Sequence, residues 1–127
     1  MIKQQRKNDG IHMSRFDAIA RLSTDNYIQF NLLIARKLSI TAAVMLSELS
    51  TLYFHRKQHG KLVEINELKN CFIADSEYLI TNTGATQEEL DYALLILQEN
   101  DVITIADDSE KTYFRINALV FEKLMNG

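Results

Sequence analysis

The chain has 127 residues, 46% hydrophobic and 24% charged, the size and make-up of one globular domain, which excludes a disordered polypeptide. Its net charge of −3 is unevenly spread. Residues 1–61 carry ten Lys/Arg against four Asp/Glu and residues 62–127 carry four against thirteen, so a uniformly basic nucleic-acid binder is excluded, but a molecule with a basic end and an acidic end is not.

Residues 1–12 are polar, basic and without period, and read as an arm. No apolar stretch follows the basic residues of 1–10, so no signal peptide is expected. Ser14 to Leu22 is predicted as a short helix, with Ser14 at its N-cap and Phe16 and Ile19 on one face. Tyr27 to Phe30 reads as an extended piece or the start of the next helix. Ser39 to His59 is the strongest helix: Ala42, Leu46, Leu49 and Tyr53 form a stripe, Met45 and Leu52 widen it, and Glu48, Thr51 and His55 are expected opposite. Gly60 is placed to stop it. Its longest apolar run, Ala42 to Leu46, is too short to cross a bilayer.

Leu62 to Lys69 fits a strand or a short helix, and Cys71 to Ile73 a short buried strand. Asp75 can cap a helix to about Asn82, which Thr83-Gly84-Ala85 breaks. Thr86 with Glu89 three positions on is a capping box. The helix it opens runs to about Asn100, with Leu90, Ala93, Leu94 and Leu97 inward. Val102 to Ala106 and Thr112 to Ile116 are predicted strands joined by the polar turn Asp107 to Glu110. A closing helix is expected over Ala118 to Met125. Cys71 is the only cysteine, so no intrachain disulfide or four-cysteine zinc site is possible, and a reducing, cytoplasmic setting is expected.

Helix, short strand, helix, tight turn, helix and hairpin is the order of a winged helix-turn-helix. Leu79, Ala85, Leu90 and Ala93 lie around Gly84 where two helices must touch, and Gly84 can supply the positive φ of a sharp turn. Ile80 stands where the closely packed helix pair of that family usually has a small residue. Tyr27-Ile28-Gln29-Phe30, Leu38-Ser39, Phe72-Ile73, Glu77-Tyr78-Leu79, Thr83-Gly84, Ala93-Leu94-Leu97, Val102-Ile103 and Tyr113-Phe114-Arg115-Ile116 follow in sequence. Over residues 27–117 the chain thus resembles the N-terminal winged-helix domains of plasmid and bacteriophage replication initiators and replisome organisers. The resemblance implies a mostly helical α+β fold with a two- or three-stranded wing sheet and extra N- and C-terminal helices. Residues 1–26 would form the basic arm and short helix, and residues 27–127 the domain. It also implies double-stranded DNA binding at an origin or operator, usually as a homodimer, here in a stand-alone domain without the second domain such initiators often carry.

A recognition helix lays its outer face in the major groove. Here the outward residues are Glu88, Asp91, Tyr92, Leu95 and Glu99, three acids and no base. Gln87 is the one conventional base reader on this helix, with Tyr92 beside it, and only Lys111 and Arg115 offset the acidic wing tip. Phosphate contacts are therefore expected from Lys3, Arg6 and Lys7 in the arm and from a patch of Arg36, Lys37, Arg56, Lys57 and Lys61. The alternative is a protein-interaction module, in which Tyr92 and Leu95, rimmed by Glu88, Asp91 and Glu99, dock a partner with a basic surface. Phe16, Ile19, Leu22, Met45 and Leu52 are the candidate dimer contacts. His55 and His59 have a metal-ligand spacing without the Glu of a metalloprotease motif. No metal, cofactor or catalytic residue is assigned, and the chain is not expected to be an enzyme.

Overall fold

A computed structural model describes residues 29–108 and 110–126. Five helices and four strands lie within them: α1 (Leu32–Lys37), α2 (Ile40–Gln58), β1 (Val63–Ile65), β2 (Leu68–Ile73), α3 (Ser76–Thr83), α4 (Gln87–Glu99), β3 (Ile103–Asp107), β4 (Thr112–Ile116) and α5 (Ala118–Asn126). The fold is α+β, as expected. None of these helices is long and apolar enough to cross a membrane.

The starts of α1 to α4 are each set by a side chain that meets otherwise orphaned amides. Asn31 accepts from the Ile34 amide at 2.9 Å, Ser39 from Ala42 at 2.9 Å and Asp75 from Tyr78 at 2.8 Å. Thr86 and Glu89 form the reciprocal box, the Glu89 amide donating to Thr86 Oγ1 at 3.1 Å and the Thr86 amide to Glu89 Oε1 at 2.9 Å. The short α1 was not expected from the sequence, because six residues leave too little period to read.

Helix α2 is the centre of the core. Ala42, Ala43, Met45, Leu46, Leu49 and Leu52 are buried along it, and Leu90, Ala93 and Leu97 of α4 are buried with them. This corrects two expectations. Met45 and Leu52 are 0% and 4% exposed, so they serve this chain's own core and leave no surface for a dimer partner. Glu48, expected on the solvent side, is buried and accepts from the Tyr78 hydroxyl at 3.1 Å. Helix α3 covers that flank of α2, and the tyrosine gives the carboxylate the partner it needs there.

The sheet is antiparallel throughout, in the order β1-β2-β4-β3. It has four strands where two or three were expected, because the ambiguous stretch 62–69 forms the β1–β2 hairpin. Ile65 pairs with Leu68 across a two-residue turn of Asn66 and Glu67, at φ 51° and 70°. Two consecutive positive φ values are what a type I′ hairpin turn requires. Strand β2 joins the second hairpin through Phe72 opposite Phe114, and both phenylalanines are buried in the core.

Between α3 and α4, Gly84 has φ 76° and its amide donates to the Ile80 carbonyl at 2.9 Å. A Cβ there would meet no atom within 4 Å, so glycine is required by the left-handed backbone and not by crowding. Leu79, Leu90 and Ala93 are buried at this junction, with Ala85 and Ile80 partly buried against them. Ile80 is thus accommodated where a small residue was anticipated.

Candidate interaction surface

Helix α4 is held by its inner face and capping box, so its outer face is a fixed platform. Glu88, Asp91 and Glu99 are exposed on it, and Tyr92 and Leu95 are 53% and 52% exposed. These are the five residues expected to face outward. Gln87, the expected base reader, donates from Nε2 to Asp91 Oδ1 at 2.9 Å. Its amide is therefore already committed to a carboxylate of the same face.

The β3–β4 turn adds to the negative charge. Asp107, Asp108 and Glu110 are exposed there, with Lys111 exposed beside them. Asp108 Oδ1 accepts from the amides of Glu110 and Lys111, each at 2.8 Å. Those two amides hold its carboxyl below the usual carboxylate range. Burial, helped by the neighbouring Asp108 carboxylate, pushes the Tyr113 hydroxyl up. Tyr78 is also raised, first by burial and then by its hydrogen bond to Glu48.

The expected basic patch is not one patch. Arg36 and Lys37 end α1, next to the start of α2, whereas Arg56, Lys57 and Lys61 lie at its other end. A rise of 1.5 Å per residue separates Ile40 from Arg56 by about 24 Å along the axis. Lys37 Nζ is engaged by the Leu124 carbonyl at 2.7 Å, and Arg56 is half-buried and close enough to Tyr78 to act on its hydroxyl. Arg115 is half-buried, while Lys57 and Lys61 are exposed. Lys3, Arg6, Lys7, Phe16, Ile19 and Leu22 lie outside the described residues.

The two histidines are exposed and tilted against one another, ring centroids 4.5 Å apart, with His59 Nδ1 2.8 Å from the His55 carbonyl. Cys71 is buried, its thiol directed at the Leu68 carbonyl at 3.4 Å. Among the described residues, no three His, Cys, Asp or Glu side chains are grouped to hold a metal ion.

A second surface escaped the sequence reading. A groove of about 530 Å³ runs between α2, the end of β4 and α5. Phe54 and Leu119 at its edge are 59% and 75% exposed, and among the described residues Arg115 is the one charged residue lining it. The available signal was the closing helix itself: Leu119, Val120, Phe121 and Leu124 are more apolar residues than a short helix buries on one side.

The chain matches no protein-family model, no curated protein and no solved structure.

Proposed function

We propose that this chain is a non-enzymatic winged-helix protein that binds double-stranded DNA as a homodimer. It would serve as a replication or transcription accessory of a plasmid, phage or other mobile element. The observation that carries the reading is connectivity. Strand β2 leads into α3, the Gly84 turn and α4, and the β3–β4 hairpin then returns so that β4 lies between β2 and β3. On this reading α4 is the reading helix and the β3–β4 hairpin the wing. On this reading the arm residues Lys3, Arg6 and Lys7, together with exposed Lys111, meet phosphate, and Gln87 and Tyr92 lie nearest the bases.

A second reading has its own observation. Tyr92 and Leu95 are half exposed inside a rim of Glu88, Asp91 and Glu99, an apolar centre with an acidic edge. Such a surface suits a protein partner with a basic surface better than it suits phosphate.

Fluorescence anisotropy of labelled mixed-sequence duplexes, at low and at physiological salt, separates the two. The DNA reading expects binding that weakens steeply with salt, the log–log slope giving the number of phosphates met. Glu88→Lys with Asp91→Lys then tightens binding about tenfold if α4 approaches phosphate. Absence of binding at low salt defeats the DNA reading and leaves the acidic dock.

A further inference from the structure

We propose that the groove between α2, β2, β4 and α5 binds a small amphipathic acid, its apolar body along the walls and its carboxylate on Arg115. The volume of about 530 Å³ lies within the roughly 300–1,000 Å³ of small-molecule sites, which are mostly apolar with a few convergent polar groups. This groove has that make-up. Leu46, Tyr53, Val120 and Phe121 wall it, and Phe54 and Leu119 are exposed at its edge. The walls are set by the core. Tyr53 packs edge-on against buried Phe72, ring centroids 5.9 Å apart. Asn117, between β4 and α5, donates from its side-chain amide to the Asp101 carbonyl at 2.7 Å and to the Thr104 hydroxyl at 3.1 Å. A cleft held in this way pays little ordering cost on filling.

The polar lining identifies the ligand class. Among the described residues Arg115 is the sole ion lining the groove, and no Asp or Glu lines it. Arg115 is half-buried beside apolar walls, and the planar fork of a guanidinium matches a carboxylate bidentately. One such cation balances one negative charge. A phosphate monoester, carrying close to two, would be left partly uncompensated. Asn70 is an independent observation. Lys69 and Asn70 of β2 stand opposite the single residue Glu64 of β1, between the pairs Val63–Cys71 and Ile65–Leu68, which makes a bulge. Asn70 has φ 62° there, a left-handed backbone that is costly for a residue bearing a side chain. Bulges of this kind re-aim side chains next to binding sites, and this one brings Asn70 to the groove, with half-buried Ser50 as a further polar group. The proposal is independent of what α4 binds, since α4 contributes no residue to the lining.

The test is isothermal titration calorimetry of the full chain with octanoate, and with 1-octanol as its uncharged counterpart. Octanoate is expected to bind saturably, about one per chain, and about tenfold tighter than octanol. Arg115→Gln is expected to weaken octanoate about tenfold and to leave octanol unchanged, the second result showing that the groove is still formed. Leu119→Asp, at the exposed edge, is expected to weaken both ligands. A second measurement needs no variant. On adding octanoate to the native chain, amide shifts in nitrogen-15 spectra should gather at Ser50, Asn70, Arg115 and Leu119. Absence of saturable octanoate binding overturns the proposal, as do equal affinity for octanol, indifference of octanoate to Arg115→Gln, or shifts gathered elsewhere.

Discussion

The outer face of α4 and the groove beside α5 expose the same kind of side chain in opposite surroundings. Tyr92 and Leu95 stand among carboxylates, with more acid at the β3–β4 turn. Phe54 and Leu119 stand among apolar residues with one arginine. Two copies of the first surface would repel each other and a basic partner would be drawn to it, so on the second reading its rim selects by charge. Among the described residues the groove has no such rim, so it would select by shape. The comparison teaches that exposed apolar area alone does not name a partner; the ring around it does.

The two surfaces share one core, which gives the sharpest way to break the comparison. Leu90→Ala beneath the α4 platform is expected to cost about 2–5 kcal/mol in urea unfolding, whereas Leu95→Ala on the same helix stays within about 0.5 kcal/mol. Equal costs would mean that the outer face is packed and not free. Next in size, Thr86→Ala removes the cap that fixes the start of the platform and is expected to cost about 1 kcal/mol. Thr86→Ser should restore most of it.

Tyr78→Phe tests the flank of α2 that carries Glu48. Loss of the hydroxyl leaves a buried carboxylate short of its donor, at an expected cost of about 1 kcal/mol. The same tyrosine sets an alkaline limb. Its folded pKa lies above its unfolded value near 10.0, so the stability it contributes is fully present below that value and is lost as pH rises through the folded pKa. Tyr113 acts in the same direction. A urea series from neutral pH upward should show the decline, and Tyr78→Phe should shallow it.

The smallest effect is at the β3–β4 turn. Asp108 has its folded pKa below the ordinary value near 3.8. Its contribution is therefore present above that value and lost as pH falls through the folded pKa. Asp108 is fully exposed, so its loss should loosen the turn locally, seen as faster amide exchange at Glu110 and Lys111, with the core unaffected. Asp108→Ala should reproduce that change at neutral pH.

Most of the helices were legible because their signals are local. Ser39, Asp75, Thr86 and Gly84 announce their roles within four residues of themselves, and the inner face of α4 follows from period alone. The outward face was legible by the same token, as whatever the period left over. What failed depends on distant neighbours. Glu48 has a polar side chain on the flank that α3 later covers, and its donor is thirty residues away. Met45 and Leu52 looked surplus to a single stripe because α2 is buried over a wider arc than one neighbour would cover. The basic residues looked clustered in composition, yet a long helix lies between them. The groove was invisible because it belongs to four elements at once, α2, β2, β4 and α5, and only the surplus of apolar residues in α5 hinted at it.

The β1–β2 turn carries a further consequence, for engineering. Asn66 tolerates a left-handed backbone, since its short amide can bond locally, but Glu67 at φ 70° gains nothing of the kind. Glu67→Gly would give the Asn-Gly pair that this turn prefers. Relief of about 1 kcal/mol there would raise the Tm by about 4 °C or more. Unclaimed thermal tolerance in this protein thus lies in a solvent-exposed hairpin, where a single substitution can recover it without disturbing either interaction surface.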